Sequence, residues 1–462
     1  MKNIFKKFAG TTFLLITTLL TIIMTSIKVE AENSEINKIP IAMATDNNYV
    51  YPTIVAMTSM LENKKENTYL DFHIMISGQV SEENCDRLNK FKNLYKECSV
   101  ELINLRDKFS DAYAGAGNFQ GAAYYRLNLP SILSEYDKIL YLDGDITVRK
   151  DLWDMYSIDL NDNYIGAVKD IAHQTWGGQD YAYRLGVRDT KQYINSGILI
   201  MNLQKMREDN MEKKFSDIIP ELESRGLIYP DQDILNATCY DKIKFISPEY
   251  NALEFVMFIN DAGQIYNAQE WEKARSDATI IHHASASKPW KKDGERNCRF
   301  YNEWDKYRKI AEQKVYGDPI IANETYTISS SLRKNKVLDI AGASNENEAN
   351  LQLWNKNNTN AQKFKITYVG EGYYEIEACC SGKVLDVAGA ENKCGANVWQ
   401  YEKNNTDAQK WFIKSTDNGY YYIVSKCNGL YLDVSGAKTR RGTNIHVWDF
   451  NGSKAQKFKI SK

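Results

Sequence analysis

The fold of this chain is decided by the stretch Lys138-Ile139-Leu140-Tyr141-Leu142-Asp143-Gly144-Asp145-Ile146-Thr147-Val148. Its apolar run is long enough for one buried strand, and the glycine between the two acids permits the turn that must follow. Both carboxylates then lie on the loop at the carboxyl end of a strand, where open α/β sheets bind ligands. Two adjacent acids repel each other unless a cation lies between them, and a divalent ion that prefers oxygen ligands is the natural candidate. The alternative is a turn with two solvated acids.

The chain has 462 residues and a formal net charge of −2. This length predicts two or three domains, and the near-neutral charge gives no electrostatic reason to expect a nucleic acid or an anionic membrane as a partner. The composition includes 30 tyrosines and 9 tryptophans. These side chains combine a flat apolar face with a polar edge, which is suited to binding sugars.

Residues 1–31 have the pattern of a secretory signal peptide. Lys2, Lys6 and Lys7 form a basic region, an apolar stretch follows from Phe13 to Ile27, and small residues near Ala31 offer a cleavage site. We therefore expect secretion or export to the cell envelope. The alternative is an uncleaved membrane anchor, although the apolar run is short for a bilayer span of about 20 residues.

The chain contains eight cysteines but no CxxC pair, so a thiolate zinc site is not expected. An exported protein could form disulfides. The best candidates are the four clustered cysteines Cys379, Cys380, Cys394 and Cys427. Their pairing does not follow from the sequence.

The first part of the chain alternates between strand patterns and helix patterns. Strands are predicted at 38–44, 69–77 and 99–105, before the central strand. Helices are predicted at 51–61, 81–94 and 124–133. Such alternation predicts an α/β fold, in which a mostly parallel sheet carries helices on both faces. The glycine-rich stretch 112–121 lacks the lysine of a phosphate-binding loop, and we expect it to be a loop.

Four later segments place polar side chains beside apolar runs. These segments are YIGAVKD at 164–170, YINSGILIMN at 193–202, YPDQDILN at 229–236 and TIIHHASASKPW at 279–290. Each has a simpler explanation than a functional site. Asp231 could cap the following helix, Asn195 could complete a turn, and His282 could be a packed core histidine.

Taken together and in this order, the segments between about Pro40 and Trp290 resemble the retaining glycosyltransferases of the family that contains glycogenin and the bacterial lipopolysaccharide galactosyl- and glucosyltransferases. The strongest parts are YYRLNLPSILSEYDKILYLDGDITV, YINSGILIMNL and YPDQDILN. The resemblance implies a Rossmann-like GT-A domain, which we place at 38–316. It also implies transfer of a hexose from a UDP-sugar to an acceptor with retained anomeric configuration.

The resemblance assigns roles to the matching positions. Asp143, Asp145 and His282 resemble the ligands of Mn²⁺ (or Mg²⁺), for which oxygen donors and an imidazole are suitable. The positions that resemble the nucleotide site are Ala44, Asp46, Asn48, Tyr49, Arg126 and Lys288. The positions that resemble the catalytic groups holding the transferred sugar are Asp170, Asn195, Asp231 and Gln232.

After residue 319 the sequence changes to short strands, glycines and asparagines, and a repeat begins. LDIAGA at 338–343 recurs as LDVAGA at 385–390 and as LDVSGA at 432–437, with a period of 47 residues. Each copy ends alike, in Gln362-Lys363-Phe364, Gln409-Lys410-Trp411 and Gln456-Lys457-Phe458. Three copies of a short-stranded unit predict a closed β structure with threefold symmetry, in which the terminal aromatic residues share one core.

This repeat resembles the ricin-B type β-trefoil lectins over residues 323–462. In such lectins a sugar stacks on an aromatic ring while an aspartate and a glutamine bind its hydroxyl groups. The matching positions are Asp339, Gln352 and Trp354 in the first repeat, Asp386 and Tyr401 in the second, and Asp433, His446 and Trp448 in the third. Trp399 replaces the glutamine of the second repeat. The alternative is a trefoil with a purely structural role.

Two readings of the whole chain follow from these patterns. The first is an enzyme that transfers a hexose from a UDP-sugar to a carbohydrate or glycoconjugate acceptor, while its lectin domain binds a glycan. The second is an exported carbohydrate-binding protein with an inactive transferase domain. The intact acids favour the enzyme, and the export signal favours caution because UDP-sugars are made inside cells. Neither reading involves a nucleic acid, and a membrane is involved only if the first segment remains uncleaved.

Overall fold

The computed structural model describes residues 36–76, 80–105, 121–172, 179–259, 262, 265–291, 294–317, 319–416 and 419–462. The expected signal segment 1–31 and nearly all of the glycine-rich stretch 112–121 lie outside these residues. The chain divides into two compact units, Met1–Tyr307 and Arg308–Lys462, slightly before the boundary expected from the sequence. None of the helices formed by the described residues is long and apolar enough to cross a bilayer.

The first unit is an α/β structure, as predicted. Its strands are β1 (Asn37–Thr45), β2 (Thr68–Ile76), β3 (Cys98–Asn104), β4 (Lys138–Leu142), β5 (Ile146–Val148), β6 (Ile165–Lys169), β7 (Ile194–Asn202), β8 (Ile243–Phe245), β9 (Ala252–Leu253) and β10 (Ile280–His282). Its helices are α1 (Val50–Asn63), α2 (Glu82–Asn89), α3 (Phe91–Leu94), α4 (Leu129–Ile132), α5 (Trp153–Tyr156), α6 (Gln179–Arg184), α7 (Leu203–Glu208), α8 (Met211–Ser224), α9 (Pro230–Cys239), α10 (Ala268–Asp277), α11 (Gly294–Asn297) and α12 (Tyr301–Ala311), which crosses the division between the units.

Two predicted helices differ from the observed ones. The helix predicted at 81–94 is divided at Lys90 into α2 and α3. The helix predicted at 124–133 is mostly a 3₁₀ helix, Gly121–Asn128, and only α4 after it is α-helical. Pro130 lies in the first turn of α4, where its missing N–H would have no partner, so a new helix begins there.

The main sheet has the strand order β3-β2-β1-β4-β7-β6-β8. All neighbouring pairs are parallel except those of β7, which runs antiparallel to both β4 and β6. The carboxyl ends of β1, β4 and β6 therefore meet the amino end of β7 at one edge of the sheet. This edge carries Asp46, Asp143, Asp170 and Asn195, which the sequence placed on four separate segments.

A second, three-stranded sheet brings a more distant segment to the same edge. Its order is β5-β10-β9, with β10 antiparallel to β5 and parallel to β9. His282 at the end of β10 pairs with Ile146 directly after the acidic turn. The backbone N–H of His283 donates to the carbonyl of Asp145 at 2.9 Å. These pairings place the histidine beside the two acids, although about 140 residues separate them in the chain.

The described residues of the second unit form twelve antiparallel strands, four in each repeat. They are β11 (Glu324–Ser330), β12 (Lys336–Ile340), β13 (Leu351–Asn355), β14 (Phe364–Gly370), β15 (Tyr373–Ala378), β16 (Val384–Val387), β17 (Val398–Tyr401), β18 (Trp411–Ser415), β19 (Tyr421–Ser425), β20 (Tyr431–Val434), β21 (Thr443–Trp448) and β22 (Phe458–Ser461). Phe364, Trp411 and Phe458 are fully buried in one core cluster, as expected.

Side chains at the repeat period also join the three repeats to one another. Asn350 donates from Nδ2 to Oδ1 of Asn444 at 2.8 Å, Asn444 donates to Asn397 at 2.9 Å, and Asn397 donates back to Asn350 at 2.9 Å. Each amide therefore donates once and accepts once, which satisfies both groups in a closed ring. This asparagine ring is a threefold contact that the sequence analysis did not anticipate.

All eight cysteines lie within the described residues, and all are free thiols. The disulfides expected among Cys379, Cys380, Cys394 and Cys427 are absent, so that prediction is wrong for this structure. The four residues lie in three turns of the second unit, with Cys379 and Cys380 adjacent in one of them. The strand pairing and the asparagine ring already hold the repeats together.

Candidate active site

Three side chains form the candidate metal site. Asp143, Asp145 and His282 can each present one ligand atom so that all three atoms lie within 4.8 Å of one another. Nε2 of His282 lies 3.3 Å from Oδ1 of Asp145 and 3.9 Å from Oδ2 of Asp143. Asp145 and His282 are buried, and Asp143 is half-buried. Two carboxylates and one imidazole converging on a common point are a suitable donor set for a divalent cation.

The close packing of this site depends on two glycines. A Cβ at Gly197 in β7 would lie 2.7 Å from Oδ2 of Asp143 and 3.0 Å from Nε2 of His282. A Cβ at Gly144, between the two acids, would clash with the hydroxyl of Thr53 in α1. A side chain at position 197 would therefore displace the candidate ligands themselves. The glycine of INSG is required by this close approach and not by an unusual backbone conformation.

Two cations neutralise the buried carboxylates. Lys288 Nζ lies 2.6 Å from Oδ2 of Asp145, and the guanidinium of Arg126 lies 3.0 Å from Asp143 and 3.1 Å from Asp231. Burial would raise the pKa of Asp145, but Lys288 and the His282 imidazole outweigh that effect and hold the pKa below its usual value. Burial raises the pKa of Asp143, although Arg126 opposes the shift.

The two histidines of the HH pair have different surroundings. His282 places Nδ1 2.9 Å from Oδ1 of Asn251, which leaves Nε2 facing the two acids. His283 is fully buried and directs Nδ1 to Glu254 at 2.5 Å and Nε2 to the hydroxyl of Thr147 at 3.0 Å. Both nitrogens of His283 are therefore occupied by protein groups. Of the two histidines, only His282 presents a ring nitrogen to the acids.

The four residues predicted to hold the transferred sugar lie together in a buried network. Asn195 Nδ2 and Gln232 Nε2 donate to the same oxygen of Asp170, at 3.4 Å and 3.3 Å. The hydroxyl of Ser196 donates to Asp231 at 2.8 Å, and the backbone N–H of Ser196 donates to Gln232 at 3.0 Å. Ser196, at the amino end of β7, thus binds both Asp231 and Gln232 at the start of α9.

The start of α9 is held by a further buried acid. Asp233 accepts hydrogen bonds from the hydroxyl of Tyr193 at 2.5 Å, from the hydroxyl of Tyr181 and from the backbone N–H of Tyr229 at 2.9 Å. Asp231 was alternatively explained as a helix cap, but no side chain caps α9. The first-turn acid that binds the backbone at this end is Asp233.

Four of the six predicted nucleotide positions, Ala44, Asp46, Asn48 and Tyr49, lie between the end of β1 and the start of α1. Oδ1 of Asp46 accepts the backbone N–H groups of Asn48 and Tyr49, at 2.8 Å and 2.9 Å, and so shapes this turn. The ring of Tyr49 is 37% exposed and makes an edge contact with Trp290, with the ring centroids 5.8 Å apart. Ala44 is half-buried at the end of β1. An exposed aromatic ring beside Lys288 can accept a flat base.

The three predicted lectin clefts share one aspartate but differ in its partner. Asp339 accepts Nε2 of Gln352 at 2.8 Å in the first repeat. In the second repeat, Asp386 accepts the indole N–H of Trp399 at 2.9 Å. In the third, Asp433 lies 3.2 Å from Nε2 of His446. The polar groups offered to a ligand therefore differ among the repeats.

Each cleft also has its predicted aromatic residue. Trp354 lies under the guanidinium of Arg441 at 5.8 Å and is half-buried. Tyr401 stacks with Trp399 at a centroid distance of 6.4 Å. Trp448 stacks with His446 at 5.3 Å and is 41% exposed. In each repeat, the aromatic residue and the aspartate lie on paired strands of one hairpin.

Comparison with known proteins identifies both units. Residues 40–294, more than half of the chain, match the model of glycosyl transferase family 8. The chain belongs to glycosyltransferase family 8. Two overlapping segments of the second unit, 320–401 and 360–448, match the model of ricin-type β-trefoil lectin-like domains. The GT-A and trefoil folds expected from the sequence are therefore confirmed.

Named relatives agree with the family 8 assignment. A lipopolysaccharide 1,2-glucosyltransferase of Escherichia coli is 26% identical in an alignment of 316 positions that covers 62% of this chain and 90% of the relative. General stress protein A of Bacillus subtilis is 24% identical over 285 residues, which are 61% of this chain and 96% of the relative. The crystal structure of the galactosyltransferase LgtC with donor and acceptor sugar analogues is 25% identical, with a TM-score of 0.51, and covers 60% of this chain and 96% of LgtC.

The sequence analysis missed three residues of the family 8 site. Ser196 lay inside a quoted motif, but its small side chain gave no sign of joining Asp231 to β7. Asp233 was quoted without a role. Asn251 was missed altogether, because it follows a short 3₁₀ helix (Pro248–Tyr250) far from every motif. A polar residue directly before a short apolar strand was the only signal available for Asn251.

Proposed function

We propose that this family 8 protein is a retaining hexosyltransferase that uses a UDP-sugar and Mn²⁺. The observation that carries the proposal is the group of Asp143, Asp145 and His282 next to Lys288. The relatives include lipopolysaccharide glucosyltransferases and a lipopolysaccharide 1,3-galactosyltransferase of Salmonella typhimurium, which supports glucose or galactose as the transferred sugar. The acceptor is a carbohydrate or glycoconjugate.

The metal side of the site is suited to a diphosphate leaving group. When bound by the two acids and His282, a divalent cation supplies positive charge to the phosphates as the sugar–phosphate bond breaks. Lys288 holds its ammonium 2.6 Å from Asp145 and adds a second positive charge at the same place. Charge placed in advance where negative charge develops stabilises the transition state. Tyr49 would hold the uracil beside it.

The other side of the site is suited to the sugar. Asp170, Asn195, Asp231 and Gln232 present carboxylates and amides from the buried network. Hydroxyl groups of a hexose need paired donors and acceptors, which these side chains offer. The carboxylates also stabilise the positive charge that spreads over the sugar ring when the bond breaks. The leaving phosphate can take the acceptor's proton on the same face, so the mechanism needs no strong general base.

The second unit binds a glycan in this proposal and so holds the family 8 domain near its acceptor. Residues 1–31 act as an export signal, which places the protein in the cell envelope or outside the cell. If that segment remains uncleaved, it anchors the protein to a membrane. In either location the UDP-sugar must be accessible to the exported domain, which makes the activity measurement essential.

The test is UDP release by the full chain with Mn²⁺, across several UDP-sugars and with a chelator as control. Asp145→Asn should reduce the rate at least about 100-fold, because it removes charge from the metal site while the core is unchanged. Asp154→Asn removes an exposed acid of the same unit and should retain the rate. Unchanged Mn²⁺-dependent release in Asp145→Asn would refute the metal assignment. Glycan binding without UDP release from any donor would instead identify an exported binding protein.

A further inference from the structure

Asn251 lies between the two halves of the candidate site and touches both. It is 2% exposed and precedes β9, whose Leu253 pairs with His282 in β10. Its Oδ1 lies 2.9 Å from Nδ1 of His282, and its Nδ2 donates to Oδ1 of Asn195 at 2.9 Å. One short amide therefore connects a candidate metal ligand to a side chain of the sugar network.

The directions of these hydrogen bonds are determined by the backbone. The N–H of Gly197 donates to Oδ1 of Asn195 at 3.1 Å, so this atom must be the acceptor. Asn251 can approach it only with its NH₂ group and must therefore present its carbonyl oxygen to His282. A carbonyl oxygen accepts and cannot donate, so Nδ1 of His282 carries the proton. When the neutral ring binds a metal, its lone pair is therefore on Nε2, which faces Asp143 and Asp145.

The same chain of bonds continues to the sugar side. Asn195 uses its oxygen for Gly197 and Asn251, which directs its NH₂ group to Asp170 at 3.4 Å. Gln232 donates to the same oxygen of Asp170 at 3.3 Å. Asn251 thus supplies the second of the two hydrogen bonds that hold the oxygen of the Asn195 amide in this orientation. Groups that orient a ligating histidine influence metal affinity strongly.

We propose that Asn251 is a positioning residue that sets the tautomer of His282 for the metal and the orientation of Asn195 for the sugar. The inference rests on the proposed function, because it assigns Asn251 to the same metal and donor site. It goes beyond the proposed function by assigning a role to a residue that is not itself a candidate metal ligand. It also predicts that substitutions of Asn251 can separate its effect on His282 from its effect on Asn195.

Two substitutions separate the effects. Asn251→Ala removes both hydrogen bonds. Asn251→Asp keeps an oxygen that accepts the proton of His282 Nδ1, but places a second oxygen against Oδ1 of Asn195. Either the two oxygens repel each other, or the Asn195 amide turns and loses the hydrogen bond from the backbone N–H of Gly197. Asn251→Asp therefore preserves the contact with the candidate metal ligand His282 and disturbs the sugar network at Asn195.

The first measurement uses metal-free full-length protein labelled with ¹⁵N-histidine, which contains only five histidines. Nitrogen shifts, recorded at a pH at which the imidazole is neutral, should show His282 protonated at Nδ1 in the wild type and in Asn251→Asp, and a mixture of tautomers in Asn251→Ala. The second measurement is Mn²⁺ titration. Affinity should fall about 10–100-fold in Asn251→Ala and stay at or above the wild-type value in Asn251→Asp, while kcat falls in both.

The matched control is Asn236→Ala. Asn236 is equally buried and its amide binds the backbone of Ile194 on both sides, at 2.8 Å and 2.9 Å, without contact to a candidate metal ligand. The Asn236→Ala variant should have a lowered Tm, as Asn251→Ala should, but its affinity for Mn²⁺ should equal that of the wild type. Wild-type tautomer and affinity in Asn251→Ala, or wild-type kcat in Asn251→Asp, would overturn the inference. Wild-type protein without Mn²⁺ binding or UDP release would instead refute the proposed function, and the metal-free tautomer would still decide the role of Asn251.

Discussion

Replacing Gly197 by alanine tests the candidate metal site with a single methyl group. Gly197 lies in the buried strand β7, and its new Cβ would lie 2.7 Å from Oδ2 of Asp143 and 3.0 Å from Nε2 of His282. Ordinary van der Waals contact begins at 3.4 Å. Moving the carboxylate oxygen from 2.7 to 3.4 Å requires a shift of about 0.7 Å, and the imidazole must move as well.

Such a shift is large for a metal ligand, because distances in a functional site are held to within about 0.2 Å. Both displaced atoms are candidate ligands, so they cannot keep a common point for the cation. We expect Mn²⁺ affinity to fall about 10–100-fold, the range for changes next to a metal site. This is a loss of about 1.4–2.8 kcal/mol in binding free energy. Overpacking should lower the free energy of unfolding by about 1–3 kcal/mol.

The assay is Mn²⁺ titration of the full chain by calorimetry, with and without UDP, together with a thermal melt. Gly166→Ala is the matched control, because it makes the same change in β6, the neighbouring strand. The atoms nearest to its Cβ would be those of Leu160 at 2.9 Å and Ile200 at 3.2 Å, in the apolar core. It should lower stability and retain Mn²⁺ affinity. A folded Gly197→Ala protein with wild-type Mn²⁺ affinity would refute the metal site.

Two further predictions concern the histidines and the lectin clefts. His282→Ala should reduce Mn²⁺ affinity more than about 100-fold, whereas His283→Ala should retain it and lower unfolding free energy by about 1–3 kcal/mol; the reverse order in titration would identify the wrong histidine. Trp354→Ala should reduce glycan binding most, by about tenfold, because the first repeat has the most complete polar set. Trp448→Ala should reduce binding less and Tyr401→Ala least on a glycan array, and the ranking fails if Tyr401→Ala is the most damaging.

The class of the first unit could be predicted because strand and helix patterns alternate along it. The strand order could not, since the antiparallel position of β7 depends on pairing with β4 and β6 and not on local pattern. That reversal has a functional consequence. The amino end of β7, with Asn195 and Ser196, reaches the same sheet edge as the carboxyl end of β4, with Asp143.

The candidate site was predictable where chemistry and chain order coincide. Asp143 and Asp145 directly follow a strand, and Asp231 and Gln232 open a helix, so short motifs reveal them. Asn251 acts only through contacts with distant residues, and its local sequence resembles an ordinary loop. Residues that orient others are therefore the part of a site that a single sequence conceals most effectively.

The three repeats of the second unit share their structural contacts but differ in their predicted sugar-binding clefts. The asparagine ring and the buried glutamines at the same period recur in all three copies, and each glutamine bonds the backbone in the same way. These recurring positions are Asn350, Asn397 and Asn444, and Gln362, Gln409 and Gln456. The side chain that the paired strand directs to each cleft aspartate does not recur, since it is Gln352, Trp399 or His446 in turn. The asparagine ring joins all three repeats, so a change at one of its positions removes a contact from each of the other two repeats. A cleft on the outside has no such constraint, and its polar group can change in one repeat without affecting the others. The variation therefore lies where ligands bind, and the three clefts should differ in affinity while the scaffold stays symmetric.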